Sequence, residues 1–483
     1  MFASLSPLLT DLYQLTMAYA YWKQDVHEQE AVFHLFFRKP PFKGSYAIAA
    51  GLELAIEWLS AFRFSESELT YLSQLKGNDG KALFEDDFLD YLRDLKLSCD
   101  IAAIPEGRLV FAHEPLMRVQ GPLLQCQLLE TALLNIINFS TLIASKASRI
   151  VKAAGGDPVL EFGLRRAQGP DGGVGASRAA YIGGCVGTSN VLAGYQYGIP
   201  IKGTHAHSWV MSFDTEEEAF ENYAEAMPNN CIFLVDTYDT IEGVYKAIEI
   251  GKKLRSKGHE MLGVRLDSGD LAALSIEARK ILDEAGFPHA SIVASNDLDE
   301  YRMRELKAKG AKINVWGIGT RLATAYDQPA LGGVYKLAAL KNEAGEWDYK
   351  VKLSEQKIKV SNPGVLNVRR SRDKDGKLNG DIIWNEMGTQ PKGEFTTFAG
   401  EAKLWQPYAE EDLLLPIFEK GRLVYEIPLL ENVRSLCQAE LSQLGEAFQA
   451  LDEPEVFPVG LEAELQHTKD ALIQSLQNAE TNE

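Results

Sequence analysis

The chain has 483 residues, 46% of them hydrophobic and 24% charged, with a net charge of -19 at pH 7. That length and balance give a sizeable core split over more than one domain, and so acidic a surface repels nucleic acid and acidic membranes. The five cysteines, Cys99, Cys126, Cys185, Cys231 and Cys437, include no CxxC, which argues for a reducing compartment and against a disulfide framework or structural zinc.

The opening stretch "MFASLSPLLTDLYQLTMAYAYWK" lacks a basic leader and is interrupted by Asp11, so it does not read as a signal peptide. No run reaches the roughly 20 apolar residues of a membrane helix. The expectation is a cytoplasmic protein. Before residue 159, "EAVFHLFFRKPPF" reads as a strand and Pro-rich turn, "SYAIAAGLELAIEWLSAF" as a strand running into a helix, and the segment from Arg108 to Gly155 as β structure followed by a long apolar helix.

From about residue 159 the pattern changes to a short β-rich run, a polar or glycine turn, then an amphipathic helix. The expected strands are "PVLEFG", "GIPIKG", "CIFLVD", "MLGVRL", "SIVASN", "INVWGI" and "GGVYKL", with helices at "TIEGVYKAIEIGKKLRS", "LAALSIEARKILDEAG" and "DEYRMRELKAKG". Such units in series predict an irregular (β/α) barrel. Beyond it, "WDYKVKLSEQKIKVSNPG" and "LNVRRSRDKDGKLNGDIIWNE" alternate like antiparallel strands, with a hairpin at "KDGK". The expected organisation is an α/β sandwich over 1–140 completed by 341–405, a barrel over 141–340, and a helical extension over 406–483.

Polar residues recur just after each barrel strand: Arg165 and Arg166, Thr204 and His207, Asp236, Arg265 and Asp267, Ser295 and Asn296, Gly317 to Thr320. In a parallel barrel these positions share the C-terminal face. The turn "GIGT" offers backbone N–H groups and the Thr320 hydroxyl to an anion. Arg165 and Arg265 suit phosphate or carboxylate because the guanidinium fork matches two oxygens. An internal ion pair is the plainer alternative for Arg265 with Asp267 or Asp270. In "GTHAHSW", His205 and His207 share one face of an extended strand, as in HxH metallohydrolases, but His259, His289 and the other histidines are badly placed to complete a metal site. Packing suits His205. A chemical role suits His207, since neutral imidazole is a competent nucleophile.

"PLLTDLYQLTMAYAYW", "GLRRAQGPDGG", "GTHAHSW", "VRLDSGDL", "SNDLDE", "GIGT" and "GGVYKL" together resemble the nicotinate phosphoribosyltransferases, in order from residue 7 to about residue 337. The resemblance implies an α/β sandwich plus irregular barrel, a homodimer, and ATP-coupled synthesis of nicotinate mononucleotide and diphosphate from nicotinate and phosphoribosyl diphosphate with Mg2+, the entry step of NAD salvage. It further implies that Tyr13 stacks on the pyridine ring and that Thr204 and Arg265 hold nicotinate. Arg165, Asp267, Gly319 and Thr320 would serve phosphoribosyl diphosphate, and His207 would be transiently phosphorylated. His205 stands where an apolar residue is usual in this family. Competing readings are a nicotinamide or quinolinate phosphoribosyltransferase, a metallohydrolase, and a non-catalytic binding protein on a barrel scaffold.

Overall fold

The computed structural model describes residues 6–481 except 355 and 357–359, so the ends of the first and last expected segments and part of "SEQKI" lie outside the described residues. The chain divides into two compact units, one formed by residues 1–142 and 330–483, the other by 143–329.

Among the described residues the first unit holds three sheets, the smallest a two-stranded ribbon of Ala47–Ile48 with Leu109–Val110. In the seven-stranded one, Glu30–Phe37 is flanked by Gly333–Lys341 and Met117–Pro122, all antiparallel. "GGVYKL", expected as a barrel strand, belongs here. Tyr335 stacks on Phe33 at 5.0 Å and donates its buried hydroxyl to the Cys126 carbonyl at 2.8 Å, contacts that a parallel barrel strand would not make. The second sheet has six strands, among them the expected hairpin Leu366–Arg372 and Leu378–Asn385.

The C-terminal segment is not simply helical. Beside the helices Leu430–Gln443 and Ala463–Thr481 it contributes Ala409–Asp412, Leu415–Glu419, Arg422–Leu423 and Val459–Leu461 to these sheets. The acidic run "AEED" pairs with the basic run "VRRSR": Arg369 grips Asp412 with two bonds of 2.8 Å. Charge complementarity across the strands, rather than apolar alternation, holds that edge.

The second unit contains six short parallel strands, β1 (Val159–Glu161), β2 (Gly187–Thr188), β3 (Ile232–Leu234), β4 (Gly263–Leu266), β5 (Ser291–Ala294) and β6 (Val315–Ile318). Their order is β2-β1-β6-β5-β4-β3. Their apolar side chains, from Val159 and Phe233 to Ile292 and Trp316, are buried, as a parallel sheet covered by helices requires. The helices begin where polar side chains cap them: Asp239 accepts from the Glu242 N–H, Asp270 from Ala272 and Ala273, and Asp299 from Tyr301 and Arg302. Each cap satisfies N–H groups that the helix leaves open.

Where an irregular (β/α) barrel was expected, the sheet is a half-barrel. β2 and β3 are its two edges, and no ladder joins them among the described residues. "GIPIKG" is not a strand but a single bridge, Ile201 to Thr188. Pro200 has no N–H to donate, and the chain leaves β2 within two residues. Among the described residues no helix is long and apolar enough to cross a membrane.

Candidate active site

The C-terminal ends of β3, β4 and β5 bring one polar network together. Arg265, on β4, donates from Nε to Ser295 Oγ at 2.9 Å, from Nη1 to Thr204 Oγ1 at 3.3 Å and from Nη2 to Asp267 Oδ1 at 3.1 Å. Ser295 also donates to Asp267 Oδ1. Arg265 further lies over the Phe162 ring, 5.7 Å from its centroid. A guanidinium has five N–H donors. Three are used here, and the two left are one on each Nη, a fork suited to a carboxylate.

His207 opens the short helix His207–Val210, and its side chain is 41% exposed. Its Nδ1 is 3.1 Å from Thr237 Oγ1, and its Nε2 is 4.0 Å from Asp236 Oδ1 and 3.9 Å from Asp267 Oδ2. Asp236, two residues past the end of β3, is itself buried. Its Oδ2 accepts from the Asp267 N–H at 2.8 Å and the Ser268 hydroxyl at 2.6 Å, whereas Oδ1 has no hydrogen-bond partner among the described residues.

His205 goes elsewhere. It is buried among Phe220, Tyr223 and Phe233, with centroids 6.0, 4.9 and 6.4 Å away, and its Nε2 accepts the Leu234 N–H at 3.3 Å. Burial pushes its imidazole down to about 4. The two histidines therefore offer no common face to a metal. Asp270 is a helix cap, so of the two aspartates in "VRLDSGDL" only Asp267 reaches the network.

A second group lies where β1 and β6 end. Arg165 and Arg166 are exposed in a single turn, Leu164–Arg166, and Gly319 and Thr320 follow β6. These turns touch through glycine. A Cβ on Gly163 would come 2.3 Å from Ala323 Cβ and 2.8 Å from the Gly319 carbonyl oxygen. Buried Glu161 supports the first turn, accepting from Gly163 N–H, Ser177 Oγ and Thr188 Oγ1. Arg321 braces the second through Asp297, at 3.2 and 2.9 Å. A cavity of about 790 Å3 runs along the sheet, reaching Phe162 and Thr204 but lined mainly toward the starts of the strands, by Asn230, Met261, Pro288 and His289 among others.

The structure thus unites Thr204, His207, Arg265 and Asp267 directly, and sets the turn that carries Arg165 against the turn of Gly319 and Thr320. Tyr13 belongs to the first unit, on the helix Leu12–Lys23, where it is 48% exposed and burial with the nearby Glu130 carboxylate raises its hydroxyl above the usual tyrosine range. No motif in the sequence marks Thr237, Ser268 or Glu161. Their only signal is position, within three residues of a strand end.

Three family profiles match the sequence: the nicotinate phosphoribosyltransferase N-terminal domain over residues 8–138, the nicotinate phosphoribosyltransferase family over 159–355 and its C-terminal domain over 367–469. The nicotinate phosphoribosyltransferase of Bacillus subtilis is 45% identical over 463 residues, covering 94% of this chain and 92% of that protein. The protein of the same name from Dictyostelium discoideum is 37% identical over 521 residues, covering 95% and 87%. The crystal structure of human nicotinic acid phosphoribosyltransferase matches with a TM-score of 0.85 at 33% identity, covering 96% of this chain and 99% of that one. A nicotinate-nucleotide pyrophosphorylase from Pyrococcus furiosus shares the fold, with a TM-score of 0.70 at 22% identity over 90% and 95% of the two chains. Identity of this level along nearly the full length of both proteins, on the same fold, establishes that the chain belongs to the nicotinate phosphoribosyltransferase family.

Proposed function

We propose that this enzyme joins nicotinate to phosphoribosyl diphosphate, releasing nicotinate mononucleotide and diphosphate, and couples the transfer to ATP hydrolysis through phosphorylation of His207. The observation that carries this reading is the setting of His207: an exposed imidazole with a hydroxyl on one nitrogen and two carboxylates facing the other. Asp236 and Asp267 favour a proton on Nε2, which leaves the lone pair of the reacting nitrogen on Nδ1; the Thr237 hydroxyl donates to it at rest and turns away as the phosphate approaches. Attack by that nitrogen on the ATP γ-phosphorus forms the N–P bond and breaks the P–O bond to ADP. The carboxylates keep the Nε2 proton and stabilise the cationic ring. Water later cleaves N–P and releases phosphate.

The free fork of Arg265 takes the nicotinate carboxylate, and Thr204 adds a hydroxyl. The turn at Gly319 and Thr320 receives the ribosyl phosphate, with Arg165 serving the anionic substrate and Asp267 its ribose hydroxyls. The role of Tyr13 in stacking on the pyridine ring rests on the "TDLYQ" motif. Mg2+ accompanies the phosphates; Asp236, whose Oδ1 has no hydrogen-bond partner among the described residues, and Asp267 are the carboxylates that fit it. When bound it would neutralise charge on the diphosphate. The reading includes a homodimer, a place at the entry of NAD salvage, and a cytoplasmic location in keeping with five free cysteines.

The test is product formation from nicotinate and phosphoribosyl diphosphate with Mg2+, with and without ATP, beside nicotinamide and quinolinate. Mononucleotide from nicotinate alone, increased by ATP and matched by ADP, supports the reading. Equal rates with nicotinamide, or no response to ATP in a protein that forms product, overturn its substrate or its coupling respectively.

A further inference from the structure

The spacing of the two histidines has a counterpart in the spacing of their partners. His205 Nε2 accepts from the N–H of Leu234, and His207 Nδ1 meets the hydroxyl of Thr237. Both partners lie on β3 and its continuation, the edge of the half-barrel that no ladder covers among the described residues. The β3–β4 pairing uses other groups: Leu234 stands opposite Arg265, and the Val235 N–H donates to the Arg265 carbonyl. Neighbouring N–H groups of a strand point to opposite edges, so that of Leu234 faces the seam. A buried amide there without a partner would be costly, and an imidazole supplies the acceptor. Its other nitrogen, Nδ1, lies 3.5 Å from the Ala206 carbonyl. An Nε2 that accepts an N–H must be unprotonated, so His205 is held as the neutral Nδ1–H tautomer.

We propose that His205 is a positioning residue that seals the open seam of the half-barrel and holds Thr204 and His207 in register against β3 in place of strand pairing. The segment from Thr204 to His207 has no ladder of its own. Thr204, which takes the Arg265 Nη1 bond, also donates its hydroxyl to the His205 carbonyl at 3.2 Å. The backbone of His205 is therefore tied to the residues assigned to nicotinate, and its ring is tied to the strand whose end carries Asp236 and Thr237. Phe220 and Tyr223, on the helix Glu216–Ala226, clamp the ring from the side. One histidine of the pair is a buried rung and the other an exposed, reacting one. The inference rests on the reading of His207 as the phosphorylated residue, while the seam itself can be measured separately.

The experiment compares the wild type with His205→Phe, which keeps the aromatic packing without the acceptor, and His205→Gln, which restores an acceptor. His205→Leu serves as a second acceptor-free variant should the phenylalanine variant fail to fold. Three readouts are taken: amide exchange at Leu234, phosphoenzyme formed from γ-labelled ATP, and the KM for nicotinate against kcat. The acceptor-free variants are expected to exchange Leu234 faster, to form about tenfold less phosphoenzyme and to raise the nicotinate KM about tenfold, the scale of one lost hydrogen bond. His205→Gln recovers most of each. Wild-type exchange and kinetics in the acceptor-free variants, or losses equal in His205→Gln and His205→Phe, overturn the proposal. If the wild type itself forms no phosphoenzyme, the reading of His207 falls instead, and the seam is still scored by Leu234 exchange and the nicotinate KM.

Discussion

Arg265 and Asp267 stand two residues apart at the end of β4 and face each other across 3.1 Å, guanidinium to carboxylate. The pair is not closed on itself. Ser295 and Thr204 take two further N–H donors, which fixes the guanidinium plane and leaves the outer fork open. Arg265→Lys removes that fork while keeping the charge. The expected loss is about 1.5–3 kcal/mol in transition-state binding, roughly 10- to 150-fold in kcat/KM for nicotinate. Steady-state kinetics with nicotinate and nicotinamide check it. An unchanged ratio between the two substrates would remove Arg265 from carboxylate recognition.

The turn at Gly319 and Thr320 depends on a neighbour as much as on itself. Gly163 leaves room for Ala323 and for the Gly319 carbonyl, which a methyl would meet at 2.3 and 2.8 Å. Gly163→Ala pushes apart the turns that carry Arg165 and Thr320. Displacement on the order of 1 Å costs up to about a hundredfold in a positioned reaction, so the KM for phosphoribosyl diphosphate should rise at least about tenfold. The KM for nicotinate stays near its wild-type value. A uniform loss of both, with a lowered melting temperature, would mean that the glycine matters only for folding.

Much of this site was legible because chain order and spatial order nearly coincide. "CIFLVD", "MLGVRL", "SIVASN" and "INVWGI" each end a buried strand, and the polar residues after them meet where a parallel sheet places them. The helix Thr240–Ser256 matches its expected span residue for residue. What escaped notice depends on contacts that no local pattern encodes. β2 has two residues, too few to show a period. "GGVYKL" has the composition of a barrel strand, and its pairing with Glu30–Phe37, with Tyr335 on Phe33 and bonded to Cys126, puts it in the antiparallel sheet. The strand Ala409–Asp412 is hidden by charges that arginines on the next strand neutralise. The pair in "GTHAHSW" looked alike on one face, and the open seam separates them.

The helix that leads into the second unit is anchored by buried charge. Lys146 and Glu300 are fully buried and 2.6 Å apart, with Arg149 Nε at 3.0 Å from the same carboxylate and Asp327 against the Lys146 ammonium. Removing one partner of such a cluster leaves charge uncompensated in a low-dielectric interior. Lys146→Met is expected to destabilise the protein by about 3 kcal/mol, less than the upper end of that range because Arg149 remains beside Glu300. Urea denaturation followed by circular dichroism measures it, and a loss within error of zero would show that the lysine contributes packing alone.

His205 also makes stability depend on pH in a direction that can be worked out. Burial pushes its folded-state value down to about 4, from an ordinary 6.5. Above 6.5 the ring is neutral in both the folded and the unfolded chain, and the protein keeps its full stability. As the pH falls from 6.5 toward 4 the unfolded chain takes up a proton that the folded chain refuses, so stability declines across that window and levels off below it. The full decline from this one group is on the order of 3 kcal/mol. His34 and His113, held down to about 3 and about 4 by burial, act in the same direction. Denaturant titrations at pH 7, 5.5 and 4.5 on the wild type and on His205→Gln isolate the His205 share, because glutamine accepts the Leu234 N–H without titrating. The expected result is a shallower decline in the variant than in the wild type. Parallel curves would mean that the ring is charged in the folded protein, which the acceptor bond at Nε2 forbids.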